Sequence, residues 1–210
     1  MPNQTFFNLP QEKRDRIIDA ALEELSQNLF ANASIARIVE EAGISRGSFY
    51  QYFNDLFDLY NYLFTLIGEE KINYINDFNK TLQQADFMTV IRALYSAGIS
   101  FAREHPKYAR LGVNFYKEDA QFRARIMGDL AEMSLQYFEK LLQDGQKRGE
   151  VDSGVDVKVA AFLFHTVHIA IMEHSLQHHD PEYLWAEEGG FMTIAEKALY
   201  ILENGLKVRA

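Results

Sequence analysis

No cysteine occurs in the 210 residues, which excludes disulfides, thiolate zinc sites and cysteine nucleophiles together. Proline is confined to positions 2, 10, 106 and 181, and no alternating β-branched segment bounded by hairpin turns marks a strand. The longest strongly apolar stretch without a charged residue lies between Lys158 and Glu173, short of the roughly 20 residues that a bilayer span requires. Residues 1–10 lack the basic stretch, apolar core and small-residue cleavage site of a secretion signal, and read as a loose arm. These absences predict a soluble, cytoplasmic chain with no membrane partner. With 48% hydrophobic residues it has ample material for a core.

Positive charge is scarce as well. The formal net charge is -9, an unfavourable balance for a nucleic-acid partner. Within residues 1–55, Lys13, Arg14, Arg16, Arg37 and Arg46 face Glu12, Asp15, Asp19, Glu23, Glu24, Glu40, Glu41 and Asp55. A DNA-binding surface here must gather its cations on one face and keep its acids elsewhere.

What the chain has in abundance is helical periodicity. Over 11–29 the apolar positions Ile17, Ile18, Ala21, Leu22, Leu25 and Leu29 follow i, i+3/i+4 steps. Ser34 can cap a short second helix containing Ile35, Ile38, Val39 and Ala42, which Gly43 would end in a left-handed conformation. Ser45 caps a third short helix through Phe53, and Asn54 with Asp55 supplies the next stop and cap. A long helix follows over 56–80, with Leu59, Leu63, Ile67, Tyr74 and Phe78 among its apolar positions. Further helices are expected over 87–104, 107–115, 120–147, 155–177 and 190–206, closed in turn by His105-Pro106, Gly149 and Asp180-Pro181. The fold class is therefore all-α: an N-terminal three-helix domain over 1–55 joined to a larger helical domain over 56–210.

The stretch SIARIVEEAGISRGSFYQYF, from Ser34 to Phe53, carries the functional signal. A helix-turn-helix needs a glycine where the turn takes positive φ, and apolar residues at fixed offsets so that two crossed helices share a core. Gly43 supplies the first; Ile38, Ala42, Ile44, Phe49 and Tyr52 supply the second. From about Arg14 to Leu59 the sequence resembles the N-terminal signature of TetR regulators: RIIDAALEELSQNLF, then EEAGIS, RGSFYQYF and a partly preserved NDLFDL. The remainder resembles that family only in helix number, length and order.

The resemblance implies that the helix beginning at Ser45 lies in the major groove of a double-stranded DNA operator. Arg46 would reach a guanine edge or a phosphate, Gly47 would let the backbone approach closely, and Ser48 would donate to bases or phosphates. Tyr50, Gln51 and Tyr52 would end the contact surface, while Ser34 and its helix start, with Arg37, would meet a phosphate. Phe49 and Tyr52 also fit the core. Leu56 stands where the family commonly has a lysine, which removes a phosphate contact and predicts a shallow salt dependence.

The same resemblance implies a homodimer through the last two helices, as a palindromic operator requires. The 155–177 segment is apolar on every side, and the last helix carries Phe191, Ile194, Ala195, Ala198, Leu199, Ile201 and Leu202, so both need more than one covering partner. Of the 28 aromatic residues, 21 follow residue 55, enough to enclose an apolar pocket for a small-molecule effector, hydrophobic or aromatic by family precedent. Tyr95, Phe101, Tyr108, Phe115, Phe138, His165 and His168 are the lining candidates. No catalytic residue, cofactor or metal is expected. His174 and His178 are i, i+4, but HSLQH lacks the glutamate of HExxH. The competing reading is a helical small-molecule- or metal-binding protein retaining a non-functional helix-turn-helix.

Overall fold

The computed structural model describes residues 1–79, 85–186 and 190–206. In chain order the helices are α1 (Gln4–Phe7), α2 (Gln11–Gln27), α3 (Ile35–Glu41), α4 (Arg46–Tyr52), α5 (Leu56–Asn79), α6 (Phe87–Glu104), α7 (Pro106–Lys117), α8 (Ala120–Lys147), α9 (Val157–His178), α10 (Pro181–Leu184) and α11 (Gly190–Leu206), with a 3-10 turn at Phe30–Asn32. All regular structure among the described residues is helical, as the periodicity requires. Two compact units result: Met1–Ile72 with His105–Ile126, and Asn73–Glu104 with Met127–Ala210. This is a division by packing. The boundary of roles read at residue 55 falls inside the first unit.

In the first unit, α2 packs on α3 and on α7, burying Ile17, Ala21, Leu22 and Leu25 against a region that includes the buried Leu111 and Phe115. Apolar burial of this kind holds helices together more than intrinsic propensity does. The Asn114 side chain of α7 donates to the carbonyls of Leu25 (3.1 Å) and Ser26 (3.0 Å) at the end of α2. Those carbonyls are among the last four of the helix, which have no partner within it. Glu118 accepts the Phe30 N–H at 2.7 Å and fixes the following turn. The chain leaves α2 at Asn28, which is extended (φ -126, ψ 144), so Leu29 lies beyond the helix expected to include it.

The N-terminal segment is not a loose arm. Phe6 of α1 is fully buried, with ring centroids 4.9 Å from Phe53, 5.5 Å from Tyr62 and 6.2 Å from Tyr52. The Asn3 N–H donates to the Tyr52 carbonyl at 2.8 Å, and the Thr5 hydroxyl donates to the Gln51 carbonyl. Phe6, with Phe7 beside it, thus finds an aromatic cleft, and the arm satisfies the orphan carbonyls at the end of α4.

α8 was expected as one helix over 120–147. Gly128 interrupts it with φ 26, ψ -116, joining two helical runs; a glycine absorbs such a break at little steric cost. In the second unit α11 packs on α6 and α9. Arg92 of α6 bridges Glu196 (3.2 Å) and Glu203 (2.8 Å) of α11. The Phe87 N–H that opens α6 is accepted by Glu150 at 2.9 Å. The end of α5 at Lys80 and the side chain of Phe78, both expected in that helix, lie outside the described residues.

α9 is longer than the uncharged run read from the sequence, and by length and composition alone is long and apolar enough to cross a membrane. Here Ala160, Ala161, Phe164, Ile171, Met172 and Ser175 form its buried side. That is the behaviour of a core helix covered on one face.

Candidate nucleic-acid interface

The turn between α3 and α4 is set by Gly43, whose φ of +64 is the left-handed value the motif demands. Its N–H donates to the Glu40 carbonyl, and the Ile44 N–H to that of Val39. Ile38, Val39, Ala42, Phe49 and Tyr52 are buried, so α3 and α4 share the core that the spacing implied. Ile44 is half-buried.

Ser45 caps α4: its hydroxyl accepts the Ser48 N–H at 3.0 Å and lies 2.9 Å from the Ser48 hydroxyl. With Phe49 and Tyr52 turned inward, Arg46, Gly47, Tyr50 and Gln51 are left exposed and Ser48 half-buried. Among the described residues Arg46 has no ion-pair or hydrogen-bond partner, so its guanidinium is unspent. The α4 sequence RGSFYQY contains no acid. Tyr52 is 6% exposed and packs against Phe6, which makes it a core residue first.

Arg37 is differently placed. Its Nε donates to Glu24 at 2.7 Å, a second nitrogen also donates to Glu24, and that nitrogen reaches the Asn32 carbonyl at 3.0 Å. Glu24 is 8% exposed and also accepts the Ser34 N–H at 2.8 Å. Donation from Arg37 holds the Glu24 carboxyl below the usual carboxylate range, against the opposing effect of burial. The N–H of Ser34 is thereby committed to Glu24, leaving the first-turn N–H groups of Ile35 and Ala36 for an outside acceptor. The Ser34 hydroxyl accepts the Arg37 N–H at 3.4 Å.

This pairing bears on the charge problem. Glu24 is neutralised by Arg37, and Glu23 by Lys107 of α7 at 2.8 Å. Two of the eight acids in the first 55 residues are thus tied down on α2, while α4 presents Arg46 on an acid-free face.

The effector-lining candidates separate into groups. Tyr108 and Phe115 belong to the first unit: Tyr108 stacks on His105 at 5.2 Å, and Phe115 lies 4.7 Å from Phe64. Burial, then the neighbouring Glu70, pushes the Tyr108 hydroxyl up to about 12. The other five belong to the second unit. Tyr95 and His168 meet at 5.6 Å beside Phe191, Phe138 stacks on Phe164 at 5.8 Å, and Phe101 meets Tyr74 at 5.6 Å. His165 lies 3.3 Å from the Ser134 hydroxyl, and burial lowers its pKa. His174 and His178 touch at 4.2 Å, with His178 Nδ1 2.8 Å from the His174 carbonyl. Among the described residues no three potential ligands gather as a metal site.

The family profile described as "Bacterial regulatory proteins, tetR family" matches residues 17–62, the span that contains α3, the turn and α4. A crystal structure of a TetR family transcriptional regulator from Chloroflexus aurantiacus is 32% identical, with all of each chain covered and a TM-score of 0.64. The chain belongs to the TetR family of transcriptional regulators. This TetR-family protein is also 24% identical to the fatty acid metabolism regulator protein of Bacillus subtilis over 155 residues, 72% of this chain and 78% of that one. Its fold is similar to that of FadR from Bacillus subtilis, solved in complex with stearoyl-CoA, at 18% identity and a TM-score of 0.66 over 91% of this chain and 98% of that one.

Four structurally decisive residues of this TetR-family chain escaped the sequence reading: Glu24, Asn114, Glu118 and Lys107. Glu24 had one signal, an acid at i+3 from Ala21 and i+7 from Ile17, on the apolar side of α2. The other three act on partners more than 80 residues away, and no local pattern records them.

Proposed function

We propose that the protein is a ligand-responsive repressor acting in the cytoplasm. It binds a palindromic double-stranded DNA operator as a homodimer and is released by a small hydrophobic or aromatic effector. The observation that carries the DNA half is the exposed, acid-free face of α4, where Arg46 has no hydrogen-bond or ion-pair partner among the described residues. Arg46 would make the base or phosphate contact, with Ser48, Tyr50 and Gln51 beside it and Ser45 and Gly47 allowing close approach. Arg37 would offer its exposed side to a phosphate together with the start of α3 at Ser34, although its pairing with Glu24 reduces its share of ion release. Tyr52 would act through packing.

The dimer half is supported by apolar side chains left open on α9 and α11: Val159, Phe162 and Leu163 on the first, Tyr200 and Ile201 on the second. Large apolar groups clustered in this way on a helix pair suit an interface. The effector half draws on the relative solved with stearoyl-CoA and on the aromatic groups above. An effector acts only through different affinities for the operator-competent and operator-incompetent conformations.

Fluorescence anisotropy against the DNA upstream of the gene tests the reading. Arg46→Ala is expected to weaken binding roughly 10- to 100-fold, the 1–3 kcal/mol of a bidentate guanine contact, with an unchanged melting temperature. Gly47→Ala should separate recognition from folding too. A Cβ there meets only the Ser45 hydroxyl at 3.8 Å, an ordinary contact, so the fold keeps its stability, whereas operator affinity falls about tenfold if backbone and DNA touch. A folded dimer giving no shift at low salt would refute the reading.

A further inference from the structure

α4 is seven residues long, and its two ends are closed by different means. Ser45 caps the first turn. The last four carbonyls of a helix have no partner within it. The Phe53 N–H reaches back to that of Phe49 at 2.8 Å, but the chain then leaves in an extended conformation (φ -132, ψ 141), with no left-handed turn to meet the rest. Their donors come from the N-terminal segment instead. The Thr5 hydroxyl and the Asn3 side-chain amide (3.3 Å) both donate to the Gln51 carbonyl, and the Asn3 N–H donates to that of Tyr52 at 2.8 Å.

This segment is fastened on its own account. Phe6 is fully buried, Phe7 stands edge-on to Tyr62 at 5.9 Å, and Arg14 of α2 donates to the Phe7 carbonyl at 2.6 Å. A tether held in this way can act as a fixed support. It lies outside residues 17–62, the span that the family profile matches, and so is additional to the shared motif. What it supports is Gln51, exposed on the acid-free helix α4. A side-chain amide there suits the paired donor and acceptor of adenine in the major groove. Such a contact requires its backbone to be held within roughly 0.5 Å of the productive place, and helix ends fray. Two side-chain donors on the carbonyl of Gln51 itself oppose that fraying.

We propose that Thr5, together with Asn3, is a positioning residue for operator recognition: by capping the end of α4 it holds Gln51 in register with its base. This rests on the DNA-binding reading and deepens it. Arg46 lies at the other end of α4, where the Ser45 hydroxyl does the holding. Base discrimination by Gln51 therefore depends on the N-terminal segment, and that by Arg46 does not.

Fluorescence anisotropy of the full chain tests the assignment against three probes: the DNA upstream of the gene, a shuffled duplex of equal composition, and upstream duplexes with single base pairs exchanged. Thr5→Val keeps the shape of the side chain and removes its donor. It should lower the preference for the upstream over the shuffled duplex roughly five- to tenfold, the lower end of what one base contact is worth. The salt slope should not change, because no cation is lost. The positions that cease to discriminate should be those that Gln51→Ala also silences, while the positions silenced by Arg46→Ala stay discriminating. Thr5→Ser keeps the hydroxyl and should keep the wild-type preference. Asn3→Ala removes the longer of the two donations and should act on the same positions to a smaller extent, which supplies the comparison if Thr5→Val melts early. In a Gln51→Ala background Thr5→Val should lose nothing further, since the two residues act as one. An additive loss in that background, an equal loss on both duplexes, or wild-type discrimination by Thr5→Val would overturn the proposal. If Arg46→Ala weakens upstream binding while Thr5→Val leaves it intact, the DNA-binding reading stands and the role of Thr5 falls. If wild type binds neither duplex at low salt, or both alike, the two fall together.

Discussion

Arg37→Ala is expected to lower the melting temperature of the first compact unit at neutral pH, because it leaves the Glu24 carboxylate with most of its partners gone. The asymmetry of the pair sets this outcome. Arg37 is 55% exposed and Glu24 only 7%, so removing the carboxylate returns a guanidinium to water, whereas removing the guanidinium strands a carboxylate inside. In the variant Glu24 keeps only the Ser34 N–H, and desolvation then raises its pKa instead of Arg37 lowering it.

The pH dependence follows from those directions. In wild type the folded-state pKa of Glu24 lies below its unfolded value, so its contribution is present above the unfolded pKa and is lost as pH falls through the folded one. In Arg37→Ala the folded value lies above the unfolded one. The variant therefore recovers stability as pH falls towards and below the ordinary carboxylate range. Thermal melts of the two proteins should differ most near pH 7 and converge near pH 4, and adding Glu24→Gln to Arg37→Ala should restore part of the loss at pH 7. A constant gap across that range would show that Arg37 acts only by packing.

The same residues show how far the sequence could be read. Gly43, Ser45 and the inward positions Ile38, Ala42, Phe49 and Tyr52 were legible because a helix-turn-helix is a local motif: its turn, cap and core lie within 20 residues. The helix at 87–104 was legible to the residue, since its periodicity is local too. Short-range patterns could not show that Phe6 would leave its polar segment to pack on Phe53, or that α7 would join α2 through Asn114 and Lys107. They also could not tell whether Arg37 would face DNA or Glu24, because an exposed arginine on a short helix satisfies both readings until its neighbours are placed. The charge deficit looked prohibitive when counted along the chain. Glu23 and Glu24 turn out to be paired on α2, and the face of α4 is left without an acid.

Phe162→Glu should weaken operator binding at least a hundredfold without touching the recognition helix. Phe162 is 56% exposed, and Val159 and Leu163 beside it are exposed as well, so a charge there costs the isolated subunit little. At the centre of the proposed subunit interface it would be different. Two-fold symmetry places each substitution in both copies of one self-complementary patch, and an unpaired buried charge opposes association by several kcal/mol. A monomer then engages one half-site, and the loss of the tethered second half-site removes a gain on the order of 10²–10⁴ in apparent affinity. Analytical ultracentrifugation should show the mass halve while helical content and the exposure of Arg46 are retained, and anisotropy should report an affinity at least a hundredfold weaker. Ile201→Glu on α11, at 71% exposure, should do the same independently. If both variants remained dimeric with full operator affinity, the interface would have to lie elsewhere than on α9 and α11, and the apolar groups left open there would need another partner.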